Sequence, residues 1–165
     1  MVKIKRRLVI SFILLLIWGG VIFYMSSMES KESNNESKSL TGEIIEKVVD
    51  LANRVGLMDR RLSNTELNAL INKLNYPIRK LAHITEYFIL TVLLLLTFNG
   101  FGIRGNKMVL LSLLICFIYA ITDEYHQVFV DGRSGQFSDV LVDMIGGVIA
   151  CCLVFIRRFI KRRVS

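Results

Sequence analysis

A chain of 165 residues with 53% hydrophobic residues, a mean hydropathy of +0.49 and a single Pro is too apolar for an ordinary soluble domain of its length. Its formal charge of +7 does not point to nucleic acid as a partner, because the basic clusters hug the ends of apolar runs, where anchoring at a membrane surface accounts for them. Cys116, Cys151 and Cys152 lie inside apolar runs without C-x-x-C spacing, a pattern of buried packing rather than of a metal site or disulfide.

In chain order, Lys3–Arg7 precedes LVISFILLLIWGGVIFY. This apolar run is longer than the ~7–15 residues of a signal-peptide core and no A-x-A-like site follows it, so it is expected to stay as a membrane anchor. Four spans are predicted: Leu8–Tyr24, Leu81–Phe98, Met108–Thr122 and Asp139–Ile156, each near the ~20 residues that cross a bilayer core, the third being the shortest. Runs such as FILTVLLLLTF lack the alternation of a membrane barrel, and a helix satisfies its own backbone in lipid. The expected fold class is therefore all-α, one integral membrane bundle of four transmembrane helices.

Residues 26–76 form an extracytoplasmic segment between spans one and two. Ser26–Leu40 is rich in Ser, Glu and Asn and reads as a flexible connection. Ile44, Val48, Leu51 and Val55 then recur at helical spacing, Gly56 offers a stop, and Ser63-x-x-Glu66 forms a capping box ahead of Leu67, Leu70, Ile71 and Leu74. Two short amphipathic helices are expected, lying on the outer membrane surface, covering a site as a lid, or serving as a spacer. Tyr76-Pro77 is expected to end this region and open the second span, and Asn99–Asn106, with three Gly, to turn into the third.

Charge fixes the expected orientation. With the N-terminus inside, the inner face receives Lys3, Lys5, Arg6, Arg7, Arg104, Lys107, Arg157, Arg158, Lys161, Arg162 and Arg163, and none of the 14 acids. Both termini are then cytoplasmic. Spans two and four start at the outer face and span three ends there. His83 and Glu86, Asp123, Glu124 and Gln127, and Asp139 and Asp143 are thus expected in one outer polar layer. Asp123 and Gln127 share a helical face, as do Asp139 and Asp143, and His126 joins the first pair if the helix continues that far. Ionisable groups at membrane depth are costly and generally face the protein interior or water, which makes them functional candidates. Arg133, between Gly132 and Gly135, follows the apolar Val128, Phe129 and Val130, and its guanidinium is suited to clamping a carboxylate or phosphate. Gly146, Gly147 and Ala150 offer small surfaces for close helix packing.

RKLAHITEYFIL and DEYHQVFVDGRSGQFSDVLVDMIGG, together with IFYMSSMESKESNNES after the first span, resemble the VanZ-like family of bacterial membrane proteins. The order and spacing of AHxxEY, DExxQ and GRxGxxxD carry the resemblance, which covers nearly the whole chain; the long segment Thr41–Tyr76 is a departure. The resemblance implies a plasma-membrane protein of the type whose namesake lowers susceptibility to glycopeptide antibiotics, notably teicoplanin, in Gram-positive bacteria. It implies action on membrane lipids or lipid-linked wall intermediates at the outer face.

Two mechanisms follow. In the first, His83 and Glu86 act as acid and base, with Asp123, Glu124, Asp139 and Asp143 tuning them or holding a divalent cation, Arg133 fixing an anionic headgroup, and His126, Gln127 and Asp139 counted with Arg133 among the substrate-binding residues. No ligand spacing singles out one metal. In the second, the polar layer binds a drug, headgroup or envelope partner without turnover; no P-loop, nucleophile elbow or metalloprotease motif decides between them.

Overall fold

In the computed structural model, residues 2–59 and 61–164 are described, and of residues 2–5, 158–159 and 161–164 the backbone alone. The side chains of Lys3, Lys5, Arg158, Lys161, Arg162 and Arg163, part of the expected inner basic set, lie outside the described ones. Five helices make up the described chain: α1 (Val2–Ser26), α2 (Ser30–Arg54), α3 (Asn64–Gly100), α4 (Gly105–Gln127) and α5 (Phe137–Val164). Segments of α1, α3, α4 and α5 are long and apolar enough to cross a membrane, in agreement with an all-α membrane bundle. The helices overrun the expected spans, and α4 carries the helix five residues beyond Thr122, so that Asp123, Glu124, His126 and Gln127 are all helical.

The chain divides into two compact units, Met1–Met28 with His83–Ser165, and Glu29–Ala82. The first packs α1, the second half of α3, α4 and α5. One buried cluster gathers Ile22, Tyr87, Leu90, Leu94, Cys116, Ala120 and Val140, and a second gathers Leu95, Met108, Val109, Ala150 and Cys151. In lipid, apolar burial does not by itself drive helices together, so close approach and hydrogen bonds must hold them. Both are present. A Cβ at Gly146 would fall on the backbone of α3 at Ile84 O and 2.7 Å from Phe88 N, so only Gly allows α5 this close. Trp18 Nε1 donates to the Glu86 carbonyl at 2.9 Å, and the Tyr119 hydroxyl donates to the Gly19 carbonyl at 2.6 Å, tying α1 to α3 and α4. Only 11% of the apolar window of α1 is buried, which leaves Phe12, Leu16 and Ile17 exposed as a lipid-facing surface. Gly102 and Gly105, at φ 82° and 72°, make the α3–α4 turn in a conformation that other residues rarely adopt.

The second unit corrects two expectations. Ser30–Leu40 is helical rather than a flexible connection, as the first half of α2. Its polar residues gain partners on the following helix: Ser37 Oγ donates to Asn75 Oδ1 at 2.7 Å, Asn75 Nδ2 donates to Asn34 Oδ1 at 2.9 Å, and Thr41, fully buried, bonds the Ser37 carbonyl at 2.8 Å. A Ser/Asn-rich segment of low helix propensity is held helical by these tertiary bonds. Pro77, expected at a boundary, lies inside α3, which runs unbroken from Asn64 to Gly100 in place of a short amphipathic helix and a separate span. Its missing N–H forgoes one bond to the Lys73 carbonyl, and hydrogen bonding on both flanks carries the helix through. Gly56, at φ 74°, follows α2 as expected, and the capping box is closed: Ser63 N donates to Glu66 Oε2 at 3.0 Å and Glu66 N to Ser63 Oγ at 3.3 Å. Leu40, Ile44, Val48, Leu51 and Val55 form an exposed apolar stripe on α2.

Candidate functional site

The three-residue spacing of His83 and Glu86 puts both on one face of α3, where His83 Nδ1 stands 3.5 Å from Glu86 Oε2. From α5, Asp143 brings Oδ1 to 3.9 Å from the same nitrogen. One imidazole thus faces two carboxylates from two helices, and the Gly146 contact, one turn along α5 from Asp143, permits the approach. His83 and Glu86 are about a quarter exposed, whereas Asp143 is buried at 2%, which makes this an open cup with a buried acid at its base.

Behind it lies a second acid. Asp123 is buried at 4%, and Gln127 Nε2, one turn on, donates to its Oδ2 at 3.2 Å. The hydroxyls of Ser26 on α1 and Tyr87 on α3 face the same carboxylate without closing to hydrogen-bond geometry. Asp123 therefore sits where α1, α3 and α4 converge. Glu86, Asp123, Glu124 and Asp139 all act electrostatically on Asp143, a concentration of negative charge that a bundle of lipid-facing helices carries only with compensation. Arg133 supplies part of it, lying within electrostatic reach of both Glu86 and Asp123.

The loop that carries Arg133 is folded back on the end of α4. Gln136 N donates to Glu124 Oε2 at 2.9 Å, and Gly135 packs so tightly on the Glu124 carbonyl that a Cβ would collide with it. Gly132, at φ 72°, makes the turn, and Arg133 Nη2 stands 3.4 Å from the Met25 carbonyl of α1. Glu124 thus anchors the loop with one carboxylate oxygen. Asp139, half-buried in the first turn of α5, accepts from Ser138 Oγ at 3.4 Å.

Of the sequence-predicted residues, the structure brings together His83, Glu86, Asp143, Asp123, Gln127 and Arg133, and sets Glu124 and Asp139 beside them. His126 goes elsewhere. Its ring stacks on Phe23 at 4.5 Å, and Nε2 lies 3.1 Å from Ser27 Oγ, at the end of α1. At ~100° per residue, His126 is about 60° to one side of Asp123 and Gln127 about 40° to the other, so helix continuation alone does not unite them. Sequence reasoning gave no role to Tyr87, Ser26, Trp18 or Gln136. Tyr87 and Ser26 stood within the quoted AHxxEY and FYMSS segments, and Trp18 is the single Trp, next to Gly19 and Gly20. Among the described residues, no three His, Cys, Asp or Glu side chains gather closely enough to hold a metal ion. The arrangement is suited to moving a proton between an imidazole and its carboxylates, and to holding an anionic group at Arg133.

Four helices long and apolar enough to cross a membrane, with a polar cup between them, define the fold of a helical membrane protein. The VanZ/LLP1 family profile matches residues 11–158, and the chain belongs to that family. No curated protein and no solved structure matches it.

Proposed function

We propose that this protein works in the bacterial plasma membrane, termini inside, with the polar cup open to the outer face, where it engages the anionic headgroup of a cell-envelope lipid or lipid-linked wall intermediate. The physiological outcome is tolerance to glycopeptides of the teicoplanin type. Support for the orientation comes from Arg6, Arg7, Arg104, Lys107 and Arg157, which lie at the span ends remote from the cup, with no acid beside them. The observation that carries the reading is the convergence of His83, Glu86 and Asp143 from two helices, with Arg133 in electrostatic reach of Glu86. Arg133 holds the headgroup, His83 and Glu86 exchange a proton with it, and buried Asp143 orients the imidazole.

The test is teicoplanin susceptibility in a deletion strain complemented with wild type or His83→Gln, with a membrane blot for protein level. Wild type restores tolerance and an equally abundant His83→Gln protein does not. Full restoration by His83→Gln refutes the role of the cup, and failure of wild type to restore removes the glycopeptide link. Turnover and plain binding separate on incubation of purified protein with envelope lipid extracts: a chemically altered lipid marks an enzyme, and stoichiometric retention of unaltered lipid marks a binding protein.

A further inference from the structure

The opposite end of the bundle holds a feature that the cup does not use. A groove of about 480 Å³ opens between α3, α4 and α5, with Leu95, Met108 and Ala150 among the residues lining it, Leu96 on its outer rim, and Asn99 and Arg157 as its polar residues. Leu95, Met108 and Ala150 are buried, whereas Leu96 is 53% exposed. The α3 wall runs from Val92 to Asn99 and the α5 wall from Ala150 to Arg157, ends seven positions apart in each, so the groove follows the helices for about 10 Å. In both helices the polar residue closes the wall on the side of the α3–α4 turn.

Charge separates this end from the rest of the molecule. Residues 99–122 and 144–165 contain no Asp or Glu, while Arg104 and Lys107 flank the turn and Arg157 begins the basic run RRFIKRR. An apolar slot in a membrane-facing surface takes up hydrocarbon, and basic pockets between transmembrane helices recognise anionic lipid headgroups. The guanidinium supplies a planar, permanently charged fork for phosphate, and the Asn99 amide adds a neutral donor.

We propose that this groove binds one anionic phospholipid of the membrane, its acyl chain against Leu95, Met108 and Ala150 and its phosphodiester held by Arg157 and Asn99. The site is independent of the function assigned to the cup. It anchors the α3–α4–α5 end of the bundle to the leaflet that its basic residues face.

The experiment is native mass spectrometry of the purified full-length protein released from mixed micelles containing equal amounts of phosphatidylglycerol and phosphatidylcholine. Wild type retains one phosphatidylglycerol in preference to phosphatidylcholine. Arg157→Gln lowers that retention about tenfold, the size expected for loss of one charge-assisted contact. Leu96→Trp, placed on the exposed rim, obstructs the slot and lowers retention with the charge intact. Equal retention of the two lipids by wild type overturns the proposal, as does unchanged retention in either variant. A loss in Lys107→Gln as large as that in Arg157→Gln also overturns it, since diffuse surface charge then accounts for the preference.

Discussion

Gly146→Ala tests the contact on which the cup depends. The added Cβ meets backbone atoms of α3, not side chains, and its 2.7 Å separation from Phe88 N falls about 0.7 Å short of the 3.4 Å at which ordinary contact begins. No rotamer change relieves this, so α5 must withdraw from α3 by at least that amount. Overpacking costs ~1–3 kcal/mol, a clash against backbone lies at the upper end of that range, and the better helix propensity of Ala returns ~1 kcal/mol, which leaves a net loss of about 2 kcal/mol. For a chain of this length the expected fall in Tm is roughly 4–8 °C. Because Asp143 precedes Gly146 by one turn, the same withdrawal lengthens the 3.9 Å His83–Asp143 approach and lowers function by more than stability alone accounts for. Trp18, the single Trp, bonded to the Glu86 carbonyl, gives a fluorescence readout close to the site during thermal unfolding in detergent. Two glycines serve as controls. At Gly147 a Cβ meets Cys116 Sγ at 3.1 Å and Thr91 Oγ1 at 3.2 Å, side-chain ends that yield more readily, and at Gly20 it meets nothing within 4 Å. Destabilisation is expected in the order Gly146, Gly147, Gly20. A Gly146→Ala protein with the Tm and complementing activity of wild type refutes the argument that this contact sets the cup.

Two further outcomes are expected. Trp18→Phe keeps most of the apolar packing but leaves the Glu86 carbonyl without its 2.9 Å donor, at a cost of about 1 kcal/mol, measurable as a lower Tm with a tag-based fluorescence assay; an unchanged Tm shows that α1 docks on α3 by packing alone. Asn75→Ala strips partners from Asn34 and Ser37, so limited proteolysis is expected to cut within Ser30–Leu40 several-fold faster, while His83–Ser165 stays protected; equal cleavage rates show that α2 holds its helix without the polar network.

The helical class, the four membrane segments, the Ser63–Glu66 cap and the Gly56 stop were legible in the sequence because each rests on local physics: run length, helical period, and groups within a few residues of one another. The pairing of His83 with Glu86 was legible for the same reason, being a three-residue spacing on one helix. Even the small face at Gly146 could be read, since only small residues let helices meet closely in lipid.

What only the tertiary structure decided lies in contacts between residues far apart in the chain. Ser30–Leu40 becomes helix because Ser37 meets Asn75 across 38 residues, and α3 passes through Pro77 with that network beside it. His126 meets Ser27, 99 residues away, and Trp18 reaches the Glu86 carbonyl across 68. Composition assigns such side chains to a depth in the membrane; which neighbour each one meets depends on how the helices rotate and approach, and in this protein that is settled by a glycine against a backbone and by a few interhelical hydrogen bonds.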